Sequence, residues 1–246
     1  MKISVVTVCF NAADLIEETI KSVACQTYGD VEYIVIDGLS TDGTTDIIKK
    51  YDTELSYWIS EKDKGIYDAM NKGIEAATGD YIIFMNAGDK FADRNVLANV
   101  ATHLGNHTVV SGHWNRCYAN GKVKSASPKA LESFKVEMPI CHQATFVRLP
   151  YHKKNPFDTS FRLSADYDFF YKAWRHNESF NYIDEVIVNF LEAEGISTDN
   201  ISESVMERGK AWKGEKNLIL RNLNLKYQIC RIKTVKFLKS ITPYSR

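Results

Sequence analysis

Only five of the 246 residues are proline and 13 are glycine, far too few for a collagen-like or low-complexity chain. The five cysteines, at 9, 25, 117, 141 and 230, form no Cys-x-x-Cys pair and no Cys/His ligand spacing. That pattern excludes a zinc module, and the odd count argues against a disulfide framework. Free thiols in a reducing compartment are expected. No apolar run approaches the roughly 18–20 residues of a membrane span. The start, Met1-Lys2-Ile3-Ser4-Val5-Val6, lacks the apolar core and cleavage site of a secretion signal. There is no G-x-G-x-x-G after the first apolar segment and no G-x-x-x-x-G-K-[ST] anywhere. A Rossmann dehydrogenase and a P-loop NTPase are therefore disfavoured. Net charge is absent as well, since 31 Lys+Arg balance 31 Asp+Glu.

That balance conceals an asymmetry. Residues 208–246 carry eleven Lys/Arg and one acid, a net +10, and residues 1–207 carry −10. An acidic body with a basic interaction tail is expected. In the body, β-branched apolar runs at 3–8, 31–36, 55–60 and 81–85 read as strands. Helical periodicity between them predicts helices from an Asp14 N-cap to about 26, over 45–51, and over 68–77 with Gly79 at the C′ position. Apolar strands alternating with helices imply an α/β fold with a doubly wound, mostly parallel sheet. Beyond Asp89 the pattern becomes mixed α+β. Helices are expected at 95–104 and 166–176, and strands at 108–112, 114–118, within 139–149, and at 182–190.

In an open parallel sheet ligands bind beyond the carboxyl ends of the strands. Here those ends carry Asn11, then Asp37-Gly38, then Asn86-Ala87-Gly88-Asp89. A carboxylate there can meet a ribose hydroxyl or a base edge, and a second one can hold a divalent cation bridging a diphosphate. Any one of these residues alone reads equally well as a strand terminator.

The ordered set of segments is more specific. Ser4-Val5-Val6-Thr7-Val8-Cys9-Phe10-Asn11 is followed by Ser22-Val23-Ala24-Cys25-Gln26-Thr27-Tyr28 and Val35-Ile36-Asp37-Gly38-Leu39-Ser40-Thr41-Asp42-Gly43-Thr44. Asn71-Lys72-Gly73-Ile74 and Thr78-Gly79-Asp80-Tyr81-Ile82 come next. Together they resemble the N-terminal half of glycosyltransferase family 2, which has the GT-A fold. The likeness is strong over about 3–90. It is weaker through His142-Gln143 and Ser164-Ala165-Asp166-Tyr167-Asp168 to Gly195-Ile196-Ser197. Lys64-Gly65-Ile66-Tyr67-Asp68-Ala69-Met70-Asn71-Lys72-Gly73 is similar to the bacterial polysaccharide branch, such as colanic-acid-type transferases.

The resemblance implies an inverting transfer of a sugar from a nucleotide diphosphate, a UDP-sugar, to an acceptor hydroxyl in surface-polysaccharide assembly. It divides the chain into a GT-A body, 1–207, and a basic amphipathic segment, 208–246. Within the body, 1–90 would be the nucleotide-sugar half and 91–207 the acceptor half. Asn11 would lie near base and ribose, Asp37 on the base or else as a helix or loop cap, and Asp68 and Asn71 beside the sugar-nucleotide, Asn71 otherwise capping or packing locally. Asp42 is expected to order its own loop by bonds to Gly43 and Thr44. The acidic metal motif is thinned: Asn86 remains for a ribose hydroxyl, Gly88 supplies no ligand, and Asp89 alone is left for Mg²⁺ or Mn²⁺. Asp166 matches the catalytic base, its structural alternative being a helix N-cap. Asp168 is expected at the surface or behind the site. His142 would line the acceptor or donor-sugar pocket, or else be structural. The segment 192–197 resembles a loop that closes over the diphosphate.

From 217 to 238, apolar residues interleave with Arg221, Lys226, Arg231, Lys233 and Lys236. This reads as a basic amphipathic helix on an anionic bilayer, or as a packing helix with a charged face. Through 215–246 the protein would sit in the cytoplasm at the inner face of the membrane, where a lipid-linked or oligosaccharide acceptor is available. A nucleic-acid partner is not expected, because no recognition motif is present and the acidic body repels phosphate. The alternative is a catalytically inactive sugar-nucleotide or polysaccharide-binding module, suggested by Asn86 and Gly88.

Overall fold

The computed structural model describes residues 1–191 and 201–212. The expected lid at 192–197 and the amphipathic segment at 217–238 lie outside the described residues.

The N-terminal half runs β1 (Ile3–Cys9), α1 (Ile16–Ala24), β2 (Val31–Asp37), α2 (Thr44–Lys50), β3 (Tyr57–Ser60), α3 (Ile66–Ala76) and β4 (Tyr81–Phe84). The second half adds β5 (Lys90–Phe91), α4 (Val96–Ala101), β6 (Val109–Cys117), β7 (Val123–Ala126), β8 (Thr145–Arg148), α5 (Leu149–Lys154), α6 (Ala165–Arg175), β9 (Phe180–Leu191) and α7 (Ile201–Ala211).

The nine strands among the described residues form one sheet in the order β3-β2-β1-β4-β8-β6-β9-β5, with β7 paired to β6. The first four strands of that order are mutually parallel. β8 then enters antiparallel, between β4 and β6. The doubly wound first half and mixed second half read from the sequence are both present.

Both faces of the central strands are covered, so their apolar residues divide by parity. Ile3, Val5, Tyr33, Val35, Tyr81 and Ile83 pack with α1 and α4 through Ile16, Ile20, Val23, Leu97 and Val100. Val6, Val8, Ile34, Ile36, Ile82 and Phe84 pack with α3 and α6 through Tyr67, Met70, Ile74, Phe169 and Phe170. This two-sided burial explains why the strands are apolar runs and do not alternate with polar residues.

Several local expectations are corrected. α1 has Leu15, not Asp14, at its N-cap, and no side chain caps it. A backbone turn starts it, with Leu15 and Ile16 N–H both donating to Ala12 O. The two strands expected at 108–118 are one, because β6 stays paired to β9 across an irregular register. The segment boundary expected at 207/208 falls inside α7, and Trp212 just beyond it is buried.

Gly79 is not a C′ residue either, since α3 ends at Ala77 in an extended conformation. It is small because β1 passes against it: a Cβ there would lie 2.7 Å from Ser4 Oγ and 2.8 Å from Lys2 O. Gly79→Ala should therefore lower stability by about 1–3 kcal/mol. That is a Tm loss of about 2–4 °C per kcal/mol for a domain of this size. Gly29, with nothing within 4 Å of its added Cβ, is the control. Thermal unfolding should show Gly29→Ala unchanged or slightly raised.

Candidate active site

Parallel strands in register bring their carboxyl ends to one edge. Cys9 of β1 pairs with Asp37 of β2, and Asp37 with Ser60 of β3. Asp37 is fully buried. Its carboxylate accepts from Ser60 Oγ at 2.6 Å, from Ser40 N at 3.0 Å and from the Ser40 hydroxyl. Ser40 Oγ in turn accepts from Asn11 N at 2.7 Å, and Asn11 Oδ1 accepts from Thr41 N at 2.9 Å. Asp42 accepts from Thr44 N–H and hydroxyl and also from Ala13 N, bonds that hold its carboxyl below the usual range. Loop ordering through Thr44 is as expected, and Ala13 is the second anchor.

Asn11 and Leu39 adopt left-handed backbone, φ 46° and 66°. This conformation is uncommon outside glycine and costs most for a residue such as leucine. At the same edge Phe10 is 63% exposed and Leu39 is 53% exposed. The two loops thus present apolar faces over a rigid hydroxyl–carboxylate base.

A cavity of about 370 Å³ opens beside this edge, within the range of small-molecule sites. Asn86, Asp89, His142 and Asp166 all line it. These four, drawn from both halves of the chain, are brought together in one cavity. Asn11, Asp37, Asp68 and Asn71 do not line it.

Asn86 and Asp89 form a turn after β4, closed by Asp89 N donating to Asn86 O at 2.9 Å. Gly88 stands at φ 101°, so a side chain there would be strained, and its N–H donates to Thr19 Oγ1. The thinned motif thus has a backbone reason at its third position. Asp89 is 4% exposed, and one carboxylate oxygen accepts from Leu191 N at 3.0 Å. Burial pushes its carboxyl up to about 7, partly opposed by that bond. Asn86 Oδ1 is buried with no hydrogen-bond partner.

Asp166, which also lines the cavity, lies in the first turn of α6. Ser164 holds the N-cap position, so Asp166 is not the cap. Its Oδ1 accepts from the Tyr67 hydroxyl at 3.0 Å. Burial and then the Asp166 charge hold the Tyr67 phenol well above its ordinary range, so Tyr67 remains a donor. His142 is 7% exposed, among Phe84, Phe157 and Phe170. Burial lowers its pKa against the pull of Asp166, which keeps the imidazole neutral.

Asp168 is not at the surface: it is 3% exposed and pairs with Lys172 at 2.6 Å. Asp68 accepts from Lys64 N at 3.0 Å and closes the turn before α3. Both ends of the Asn71 amide are taken by Phe157, its Nδ2 donating to the carbonyl and its Oδ1 accepting from the N–H, each at 2.9 Å.

Three cavity or edge residues were not singled out from the sequence. Tyr67 and Phe10 were visible only inside longer motifs. Arg208 was counted with the basic tail. The stripe Val205, Arg208 and Trp212, at spacings of three and four, is the signal that places it on the inner face of α7.

Comparison with known proteins agrees with this geometry. Residues 4–167 match the family described as "Glycosyl transferase family 2". A PGL/p-HBAD biosynthesis glycosyltransferase of Mycobacterium bovis is 30% identical over 213 residues, covering 83% of this chain and 82% of that protein. Among solved structures, the mannosyltransferase PcManGT of Pyrobaculum calidifontis, in complex with GDP-Man and Mn²⁺, has a TM-score of 0.69 at 20% identity. That match covers 91% of this chain and 69% of that one. S. aureus TarS in complex with UDP has a TM-score of 0.66 at 20% identity, covering 92% of this chain and 70% of that one. The fold is therefore GT-A.

The raised Asp89 pKa carries a sign. Between about pH 4 and pH 7 the unfolded chain ionises Asp89 while the folded chain keeps it protonated. The folded state binds more protons there, so stability falls as pH rises through that window. Asp89→Asn should remove one proton's worth of this slope in denaturant melts taken at pH 4 to 7. An unchanged slope would show that Asp89 is ionised in the folded protein.

Proposed function

The chain belongs to glycosyl transferase family 2, and from that premise we propose that it is an inverting transferase. The donor is a nucleotide-diphosphate sugar, a UDP-sugar, and the acceptor is a hydroxyl in bacterial surface-polysaccharide assembly. One observation carries the reading. One cavity is lined both by Asn86 and Asp89 of the turn after β4 and by Asp166. The nucleotide and nucleotide-sugar complexes of TarS and PcManGT support such a donor. The name of the mycobacterial relative, a PGL/p-HBAD biosynthesis glycosyltransferase, supports a role in bacterial glycan biosynthesis.

In this reading the base rests on Phe10 at the carboxyl edge, the exposed aromatic face there. Asn11 and Asp37 shape that subsite through the loop at 38–44, and Asp68 and Asn71 brace α3 beside it. The acceptor oxygen attacks the anomeric carbon as its proton passes to Asp166. The bond from that carbon to the β-phosphate oxygen breaks, and its electron pair leaves with the diphosphate. The Tyr67 hydroxyl occupies one oxygen of Asp166 and so aims the other at the acceptor. Neutral His142 lines the pocket beside Asp166 and adds no charge.

Among the described residues no three His, Cys, Asp or Glu side chains cluster as a metal cage. The orphaned Asn86 Oδ1 and the second oxygen of Asp89 still fit Mg²⁺ or Mn²⁺, hard cations content with one carboxylate and substrate phosphates. When bound, such an ion neutralises diphosphate charge.

Asp166→Asn should abolish transfer while leaving nucleotide-sugar affinity within a few-fold of wild type. Near-normal turnover would remove Asp166 from the mechanism, and hydrolysis of no donor by the wild type would favour a binding module. Separately, Asp89→Ala should weaken metal-supported donor binding more than Asn86→Ala. Equal wild-type affinity with and without EDTA would sink the metal assignment.

A further inference from the structure

Helix α7 turns Ser204 and Val205 inward, and Trp212 just beyond its end is buried as well. Arg208 belongs to that side and reaches the cavity wall shared with Asn86, Asp89 and Asp166. Its guanidinium carbon lies 5.5 Å from the centre of the Tyr167 ring. Tyr167 is itself fixed, its hydroxyl donating to Phe134 O and accepting from Trp212 Nε1 at 2.9 Å. The guanidinium of Arg208 is thereby stacked in place, and among the described residues no anion meets it. Its Nε is buried with no hydrogen-bond partner, and among the described residues it forms no ion pair. Its neighbours differ: Lys210 pairs with Glu207 at 3.8 Å, and Arg162 with Glu203 at 3.9 Å. An unpaired buried donor on a cation is costly, and such a group calls for an anionic ligand.

The geometry points to Arg208 as the residue that grips the diphosphate of the donor, inside the cavity it lines together with Asn86 and Asp89. This rests on the donor reading above and deepens it. The planar guanidinium suits phosphate oxygens, and its stack on Tyr167 orients the fork before ligand arrives. During transfer the acceptor oxygen–carbon bond forms, the carbon–phosphate-oxygen bond breaks, and the electron pair collects on the β-phosphate. A fixed cation at that oxygen stabilises the charge as it develops. The role also fits the thinned motif. Gly88 contributes no carboxylate and Asp89 is buried, so a guanidinium from α7 supplies positive charge that the protein itself owns.

The test is calorimetric titration of the full chain with UDP, GDP, dTDP and CDP and the matching monophosphates, with EDTA and with Mn²⁺. The proteins are wild type, Arg208→Gln, Arg208→Lys and Lys210→Ala. Arg208→Gln should weaken the best nucleoside diphosphate by about 10- to 100-fold, the worth of a charge-assisted pair. Its monophosphate affinity should change less than about threefold. Arg208→Lys should recover part of the loss, and Lys210→Ala should bind as wild type does. A second measurement needs no variant. Dicarbonyl modification of Arg208, mapped by mass spectrometry, should be blocked by the diphosphate and not by the nucleoside. Wild-type diphosphate affinity in Arg208→Gln, equal loss of both ligand classes, or modification indifferent to ligand would each overturn the proposal. If the wild type binds none of the four diphosphates, the donor reading falls and takes this inference with it.

Discussion

β4 is four residues long and buried at every position, hydrogen-bonded in parallel to β1 and antiparallel to β8. It is the seam between the two halves of the sheet. On one side lie the parallel strands whose carboxyl ends carry Asn11 and Asp37. On the other lie the strands of the mixed half. Its own carboxyl end runs straight into Asn86–Asp89, where Met85 N and Ala87 N still bond to Val6 and Val8 carbonyls. A shift of β4 by one residue would exchange Ile82 and Phe84 for Tyr81 and Ile83 on the α3 face. It would also move the turn that floors the cavity.

Asp166 is held differently. It stands on α6, which packs over the sheet through Phe169 and Phe170. The Asn71 amide ties α3 to Phe157 in the segment leading to α6, and Tyr67 ties α3 to Asp166 directly. α3, packed on the sheet, therefore sets the position of Asp166 relative to the strand ends. Its first-half residues, which by motif would touch ligand, are spent on this positioning. A polar residue close to a site acts as often by fixing its neighbours as by meeting the ligand, and here hydrogen-bond bookkeeping separates the two roles.

The first four strands were legible in the sequence because two-sided burial makes them continuous apolar runs. The cavity residues Asn86, Asp89, His142 and Asp166 were legible because motif order, not any single residue, carried them. What stayed hidden was set by distant contacts. Gly79 looked like a helix terminator, and only β1 passing within 3 Å explains it. Asp168 read equally as a surface acid or as one behind the site, and a partner one helical turn away is what allows its burial. Arg208 looked like one of eleven tail charges, since nothing local reveals that α7 folds back over Tyr167.

The most direct measurement is a crystal structure of the chain with the nucleoside diphosphate it binds most tightly. The base should lie against Phe10, with the diphosphate between the Asn86–Asp89 turn and Arg208. The terminal phosphate should face the Asp166 carboxylate across the space left for sugar and acceptor. A nucleotide bound elsewhere on the sheet, or one whose terminal phosphate points away from Asp166, would contradict a shared cavity as the place of transfer.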